Sequence, residues 1–600
     1  MKLRSLATVL VAVVPGLTFA CGDDTNGHTA PGGGSGADAT VGGDDGNVGA
    51  SAGSANAGSV DSGGKNSADA GAAGMPALPN EAGENQGGSA SQGGNGASLG
   101  GNGDGIAGEM QAPGGAGAAG DTGVPTDPCD VTQAPSIEQS GDASHLLLRG
   151  MVVTPDQAFA GEVLVTDDLI SCVAASCSGS PGAAGATVVE THGIIFPGLI
   201  DTHNHVLFDA FDETDWSPIK AYDNHNQWTN EAKYSAMVDA KQYLNGESAS
   251  PVDYNCELEK YGELKGLIAG TTSIVGAATP ANKACYGSLS RSIGQSSNGL
   301  GSDKVQVATL FPATAAADGV CNNFANGKTD AYLIHVAEGV GGTIKSEFAK
   351  LGTVTGVDNC LYSPKTTIVH GTDLGAAEFD IMAAQQMSLV WSPKSEIFLY
   401  GAGTDPSKTT NVELALSKGI NVALGPNWSM GGSQNLLDEL RFAQQIATQT
   451  WTSAPSAKTL VQMATTNAAR ALGLQGVLGS IEIGKKADLM VISGNSCAPY
   501  DSLLAATPAE VELVLVGGKA LYGHPKLKSL GAPTPGCDTF DACGSSKFLC
   551  VATSSNTALD KLGQKLAEIQ TTLSDAFVAY DALNLTAWKF APITPLLRCQ

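Results

Sequence analysis

Aromatic residues are scarce in this chain, basic residues are scarcer than acidic ones, and the interior has no long apolar run. Phe, Tyr and Trp make up 6% of 600 residues, and residues 22–127 contain none. The same stretch holds 32 of the 77 glycines and thirteen acidic residues against a single Lys65. It cannot bury enough apolar surface to offset the entropy of ordering, so a long disordered tether is expected over residues 21–127. Lys and Arg number 32 against 59 Asp and Glu, a formal charge of −27, of which −17 falls after residue 127. A body this acidic repels phosphate backbones, which argues against a nucleic-acid partner. No interior run approaches the roughly 18 consecutive apolar residues that a membrane-spanning helix needs, so a soluble body is expected. No Cys-x-x-Cys pair occurs among the thirteen cysteines, which weakens a zinc-ribbon reading of them.

What is present begins with an export signal. Lys2 and Arg4 precede an apolar run from Leu6 to Ala20, the pattern of a secretory signal peptide over residues 1–20. Leu17-Thr18-Phe19-Ala20-Cys21 resembles a bacterial lipobox, with Thr18 where the usual Leu stands. That resemblance implies a lipid on Cys21 and a membrane as partner, with the tether as spacer; ordinary cleavage after Ala20 is the alternative. Setting Cys21 aside leaves twelve cysteines, an even number suited to as many as six disulfides in an oxidising compartment.

Residues 128–600 are ample for one large domain with accessories. His145 to Thr154 and Glu162 to Ala174 read as strands. The run Gly193 to Ile200 leads into Asp201-Thr202-His203-Asn204-His205 and predicts the first strand of a sheet covered on both faces. Short apolar runs follow at Thr271–Ala277, Val305–Leu310, Ala331–Val336, Thr366–His370, Ser388–Trp391 and Ile420–Leu424, with helical stretches at Ala376–Gln386 and Leu436–Ala447. Alternation of this kind over residues 193–477 predicts an α/β fold, a (β/α)8 TIM barrel. Strands are expected again at Leu478–Ile492 and Val511–Leu521. Paired with those before residue 193, they give a small β-sandwich domain built from both flanks, residues 128–192 and 478–525. Residues 526–600 are expected to form a cysteine-containing helical extension, in which Leu559, Leu562, Leu566, Ile569, Leu573, Phe577 and Tyr580 recur at helical spacing.

His203 and His205 are two apart, so on a strand both point to one face and can grip a single ion. Pro197-Gly198-Leu199-Ile200-Asp201-Thr202-His203-Asn204-His205 resembles the first-strand motif of the amidohydrolase superfamily. Asn467-Ala468-Ala469-Arg470-Ala471-Leu472-Gly473-Leu474, followed by Leu478 to Leu489, is similar to that family's C-terminal signature. Ile334-His335-Val336-Ala337-Glu338 resembles the fifth-strand motif of the mononuclear deaminase and chlorohydrolase branch, and Val369-His370-Gly371 its sixth-strand histidine. Trp391-Ser392-Pro393-Lys394-Ser395 and Asn435 to Leu440 look like further stretches of that branch. The resemblance implies one divalent metal, Zn or Fe, held by His203, His205 and His335. Glu338 then shuttles protons, and His370 contacts a small-molecule substrate or the water. Metal-bound water would attack an amide or C=N carbon and break a non-peptide carbon–nitrogen bond.

One departure stands out. Where the family has Gly-Thr/Ser-Asp on the eighth strand, this chain reads Leu424-Gly425-Pro426-Asn427-Trp428, so Asn427 takes the place of the metal-binding, proton-accepting aspartate. An amide oxygen can still be a ligand, but it is not a general base near neutral pH. Three outcomes are open: Glu338 or His370 serves as base; the barrel binds metal and ligand at the cell surface without turnover; or Asp438 takes the role. His225 is read as a loop residue of the mouth or a substrate contact, and Asp201 as support for the histidines or a plain strand end. His145, His192 and His524 are read as surface or packing residues of the β domain.

Overall fold

The computed structural model describes residues 129–131, 133–247, 250–276, 289–296, 298–309, 311–531, 537–552 and 563–599. The expected signal peptide, the tether and Cys21 lie outside the described residues, as do Ala277, Leu310, Leu559 and Leu562. Among the described residues, eight short strands run parallel in two sheets. Leu199–Asp201, Thr271–Val275 and Arg291–Ile293 form one; Val305–Ala308, Ala331–Val336, Thr366–His370, Ser388–Trp391 and Asn421–Leu424 form the other. At the end of the eighth strand Leu424 O accepts from Thr202, just past the first, from N at 3.4 Å and from Oγ1 at 2.7 Å. Most of these short strands are apolar, as strands covered on both faces are. Ile200, Val275, Ile293, Val305, Leu333, Val369, Val390 and Ala423, one from each strand, share a single core cluster with Ala468, Ala469 and Leu472 of the segment expected to carry the C-terminal signature.

The run Gly193–Ile200 is not one strand. Ala186–Pro197 belongs to a flanking sheet, where Ile194–Pro197 pairs with Leu489–Ile492. At Pro197 the chain changes partners: Gly198 N still donates to Asp488 O, at 2.8 Å, whereas Leu199 N turns to Gly270 O, at 2.9 Å. Glu162–Ala174 is likewise two strands, Ala158–Thr166 and Leu169–Ala174. Val511–Leu521 is a hairpin, turned by Gly517 and Gly518 at φ 54 and 75, a conformation that two-residue hairpin loops require and glycine supplies.

Strands from both flanks do meet, and among the described residues they are hydrogen-bonded into one ten-stranded sheet with no break into two. The last segment is not purely helical either, since its hairpin Asp538–Ala542 and Ser545–Leu549 extends that sheet past residue 525, before the helix Leu566–Leu583. Disulfides join Cys129 to Cys497, Cys172 to Cys177, Cys321 to Cys360, Cys537 to Cys550 and Cys543 to Cys599, and Cys256 is also disulfide-bonded.

Arg291–Ile293 escaped the sequence reading because its polar residues find partners that are remote in the chain. Arg291 Nε and Nη2 donate to Asp488 Oδ2 and Oδ1, at 2.7 and 2.9 Å, and both residues are buried. Asp488 Oδ1 also accepts from Gly517 N, at 2.7 Å, so this pair ties the parallel strands to the flanking sheet. Asp488→Ala strands a buried guanidinium and should cost about 3–5 kcal/mol in denaturant unfolding. The double replacement Arg291→Met with Asp488→Leu should recover most of that loss. A single-variant cost under about 1 kcal/mol would show that water reaches the pair.

Candidate metal centre

The first strand ends at Asp201, so His203 and His205 lie just past it and not on it. Their backbone is held from both sides. Asp201 Oδ1 accepts from His203 N at 3.1 Å, Asn204 N donates to Val275 O at 2.8 Å, and Asn204 and Asn427 form a parallel bridge. In that bridge Asn427 N donates to His203 O at 3.0 Å and His205 N to Asn427 O at 2.6 Å. A Cβ at Gly425 would lie 2.8 Å from the His203 backbone, so only glycine lets the eighth strand come this close. Asp201 thus supports the histidine backbone: its Oδ2 takes Asn204 Nδ2 at 2.8 Å.

Four imidazoles converge at the strand ends. His203 lies 5.0 Å from His205, 4.6 Å from His335 and 5.2 Å from His370, ring centre to ring centre. His203 Nε2 and His335 Nε2 are 3.2 Å apart, and the ligand nitrogens of His203, His205 and His335 lie within 4.8 Å of one another. Two ligands at 2.0–2.1 Å from a tetrahedral ion would be roughly 3.3–3.4 Å apart, so the spacing suits one shared cation. Burial first, then the neighbouring histidines, push His203 and His335 well below the usual histidine range, so both rings are neutral, as ligands must be. His335 Nδ1 lies 3.4 Å from Ala308 O; donating there leaves Nε2 bare toward His203.

Glu338 is gripped at both oxygens. Tyr400 OH donates to Oε1 at 2.8 Å, and His225 Nδ1 lies 3.3 Å from Oε2. His225 Nε2 in turn sits 3.2 Å from Glu347 Oε1, so the ring bridges two carboxylates. Burial favours a neutral ring, but hydrogen bonds and charge from Glu338 and Glu347 outweigh it and push His225 up to about 10. Burial likewise opposes ionisation of Glu338, yet the hydrogen bond and charge of His225 hold it below the usual carboxylate range. His225 is therefore a half-buried clamp on Glu338 that opens the short helix His225–Trp228, not a loop residue. The sequence reading missed its partners, Glu347 and Tyr400, since nothing local marks them.

His370 Nε2 lies 3.9 Å from Glu338 Oε1. Asn427 is buried beside His203; its Nδ2 donates to Ser395 Oγ at 2.7 Å, while its Oδ1 has no hydrogen-bond partner among the described residues. Ala337, His370 and Asn427 have φ of 57, 66 and 73, a left-handed backbone at or just past the ends of the fifth, sixth and eighth strands. Such strain persists only where surroundings enforce it, and it clusters at working sites. Asp438 is not there: it lies in the helix Leu436–Thr450, paired with Arg441. His145 and His524 also lie elsewhere, His145 paired with Asp142 at 2.8 Å and His524 capping a short helix; His192 lies in the strand Ala186–Pro197.

A wall of rings stands next to the histidines. Trp428 is 5.9 Å from His205 and contacts Trp216, Trp228 and Tyr234 at 5.6–6.3 Å; its Nε1 has no hydrogen-bond partner among the described residues. The C-terminal extension backs this wall. Phe577 and Phe590 pack on Phe211 at 5.6 and 5.5 Å, Trp588 Nε1 donates to Asp215 O at 2.9 Å, and Arg598 pairs with Asp212.

Residues 324–521 match the amidohydrolase family model. The 5'-deoxyadenosine deaminase of Methanothermobacter thermautotrophicus is 25% identical over 415 residues, 62% of this chain and 91% of that protein. The 5-methylthioadenosine/S-adenosylhomocysteine deaminase of Moorella thermoacetica is 25% identical over 413 residues, 62% and 92% of the two chains. Among solved structures, a zinc-bound adenosine deaminase from Xanthomonas campestris is similar with TM-score 0.43 and 20% identity, covering 62% of this chain and 92% of its own. The zinc complex of atrazine chlorohydrolase TrzN from Arthrobacter aurescens TC1 gives 0.48 and 15%, covering 63% and 95%. The family match and the deaminase relatives support the amidohydrolase superfamily for this chain.

Proposed function

We propose that the protein is a metal-dependent hydrolase of non-peptide carbon–nitrogen bonds in small molecules, working at the carboxyl ends of a closed (β/α)8 barrel. The carrying observation is the 3.2 Å approach of His203 and His335, with His205 alongside, next to an ionised Glu338. Closure of the barrel is supported by the bonds from Thr202 to Leu424 and by the core that takes one residue from each of eight strands. His203, His205 and His335 would hold Zn or Fe as neutral ligands, and the partnerless Asn427 Oδ1 is an oxygen donor of the right kind for a fourth place. When bound, a divalent ion supplies an acidified water, with a pKa near about 7, and polarises the electrophile.

The remaining chemistry belongs to the chain. Glu338, ionised and held by Tyr400 and His225, can take a proton and hand it to the departing nitrogen. It thereby supplies the base that Asn427 cannot. His370 Nε2, without a partner among the described residues, is free to accept a hydrogen bond from the water or the substrate. Trp428, buried among its neighbouring rings beside His205, leaves one N–H donor without a partner among the described residues. That suits a planar heterocycle carrying an acceptor, and with relatives named as adenosine-type deaminases it favours an exocyclic amino group on a nucleoside-like ring.

The test is turnover by the purified, metal-loaded full chain on 5'-deoxyadenosine-type nucleosides, cyclic amidines, lactams and acyl-amino acids. Glu338→Gln should lower kcat by about 10²–10⁴-fold. Full metal occupancy with no turnover on any of these would reject the enzyme and leave the second reading, a metal-holding ligand cup at the cell surface, which the neutral Asn427 favours. Export, and anchoring through a lipid on Cys21, are part of the same proposal, supported by residues 1–21. Mass spectrometry of the mature N-terminus separates a lipidated Cys21 from simple cleavage.

A further inference from the structure

We infer that Glu396 is a positioning residue that fixes the tautomer of His370, keeping the proton on Nδ1 and a bare Nε2 toward His203, His335 and Glu338. Its catalytic consequence rests on the hydrolase reading; its structural content does not. Glu396 lies in the first turn of the helix Pro393–Tyr400, five residues after the strand that ends at Trp391, and is fully buried. Its Oε1 lies 3.4 Å from His370 Nδ1, and its Oε2 accepts from Thr409 Oγ1 at 2.7 Å and Thr410 N at 3.0 Å. Thr410 Oγ1 donates to His370 O at 2.7 Å, so the same threonine holds the histidine's backbone.

The geometry leaves little freedom. Both Glu396 oxygens already accept, Oε1 from Ser392 N and Oε2 from Thr409 Oγ1 and Thr410 N, so the imidazole nitrogen facing Oε1 is the donor, and the far nitrogen of an uncharged ring is then bare. A buried carboxylate oriented by several donors and bonded to a histidine imposes one tautomer, as in hydrolytic triads.

Glu396→Gln inverts the arrangement. The new amide has one acceptor and one donor end. Thr410 N cannot turn round, and Thr409 Oγ1 makes the shortest bond, so the amide oxygen must stay on their side. Its NH2 then faces His370 Nδ1, giving up only the longer 3.4 Å bond from Ser392 N, and Thr410 Oγ1 is placed to accept from it. A donor opposite Nδ1 moves the imidazole proton to Nε2, where it blocks the centre.

The experiment is 15N NMR of histidine-labelled, metal-free full chain at alkaline pH, with His370 identified by the signals missing from His370→Asn. The expected native spectrum has Nδ1 protonated and Nε2 bare, and Glu396→Gln exchanges the two while circular dichroism stays native. A native Nε2 that carries a proton overturns the inference, as does a folded Glu396→Gln with the native tautomer. Should Glu396→Gln fail to fold, the native spectrum alone still decides. In the metal-loaded protein the variant should lose about 10²-fold in kcat with KM little changed. The expected tautomers in a protein without turnover would uphold Glu396 and count against the hydrolase reading alone.

Discussion

His335→Ala should leave the protein unable to retain a stoichiometric divalent metal and without measurable turnover. Removing a residue that merely supports a metal ligand typically costs 10–100-fold in affinity, so losing a ligand should cost more than about 100-fold. The reason is specific to this site. His335 carries its ring from the end of the fifth strand, with Nδ1 facing Ala308 O and Nε2 3.2 Å from His203 Nε2. Metal binding to the native fold stabilises it by mass action, by about 4 kcal/mol when free metal is 1,000 times its dissociation constant. Native protein should therefore melt higher with zinc than with chelator, and His335→Ala should show no difference between the two. Elemental analysis of the same samples reads occupancy directly. A variant that keeps one equivalent of metal would remove His335 from the centre.

The second large effect should come from Asn427→Asp. The new carboxylate puts a negative charge where the partnerless Oδ1 now sits, beside His203, and Ser395 Oγ, which now accepts from Nδ2, can turn to donate instead. Nothing in the fold opposes the change, because the side chains are isosteric and the left-handed backbone at φ 73 tolerates aspartate. Metal should bind more tightly, and turnover should rise by up to about 10²-fold at neutral pH as a base is added at the centre. A silent parent and an active variant would identify the natural protein as the ligand cup. Equal rates and equal affinities would mean that residue 427 lies outside the centre.

Much of the parallel-strand array was legible because strands buried on both faces carry continuous apolar runs, and Ala331–Val336, Thr366–His370 and Ser388–Trp391 fall where those runs predict. The third strand was not, since Arg291 and Ser292 look like loop residues until Asp488 and Glu259 are brought against them, 197 and 33 residues away. The break at Pro197 was hidden for the opposite reason: one apolar run serves two sheets, and composition does not say where partners change. At the centre, His203, His205, His335, Glu338 and His370 stand out because histidine is rare here and their spacing follows a motif. His225, Tyr400, Glu347 and Glu396 stand in no motif with the groups they hold.

By itself the amino-acid sequence determined the chemistry on offer: imidazoles and one carboxylate at the ends of buried strands, an amide where a second carboxylate would be expected, and cysteines in a number fit for pairing. Side-chain type and local periodicity are enough for that, because both are written within a few residues. Tertiary structure alone decided how those groups are held. Whether Glu338 is ionised, which ring bridges two carboxylates and which nitrogen of His370 is bare depend on neighbours tens to hundreds of residues away, and hydrogen bonding and desolvation act through distance in space, not along the chain.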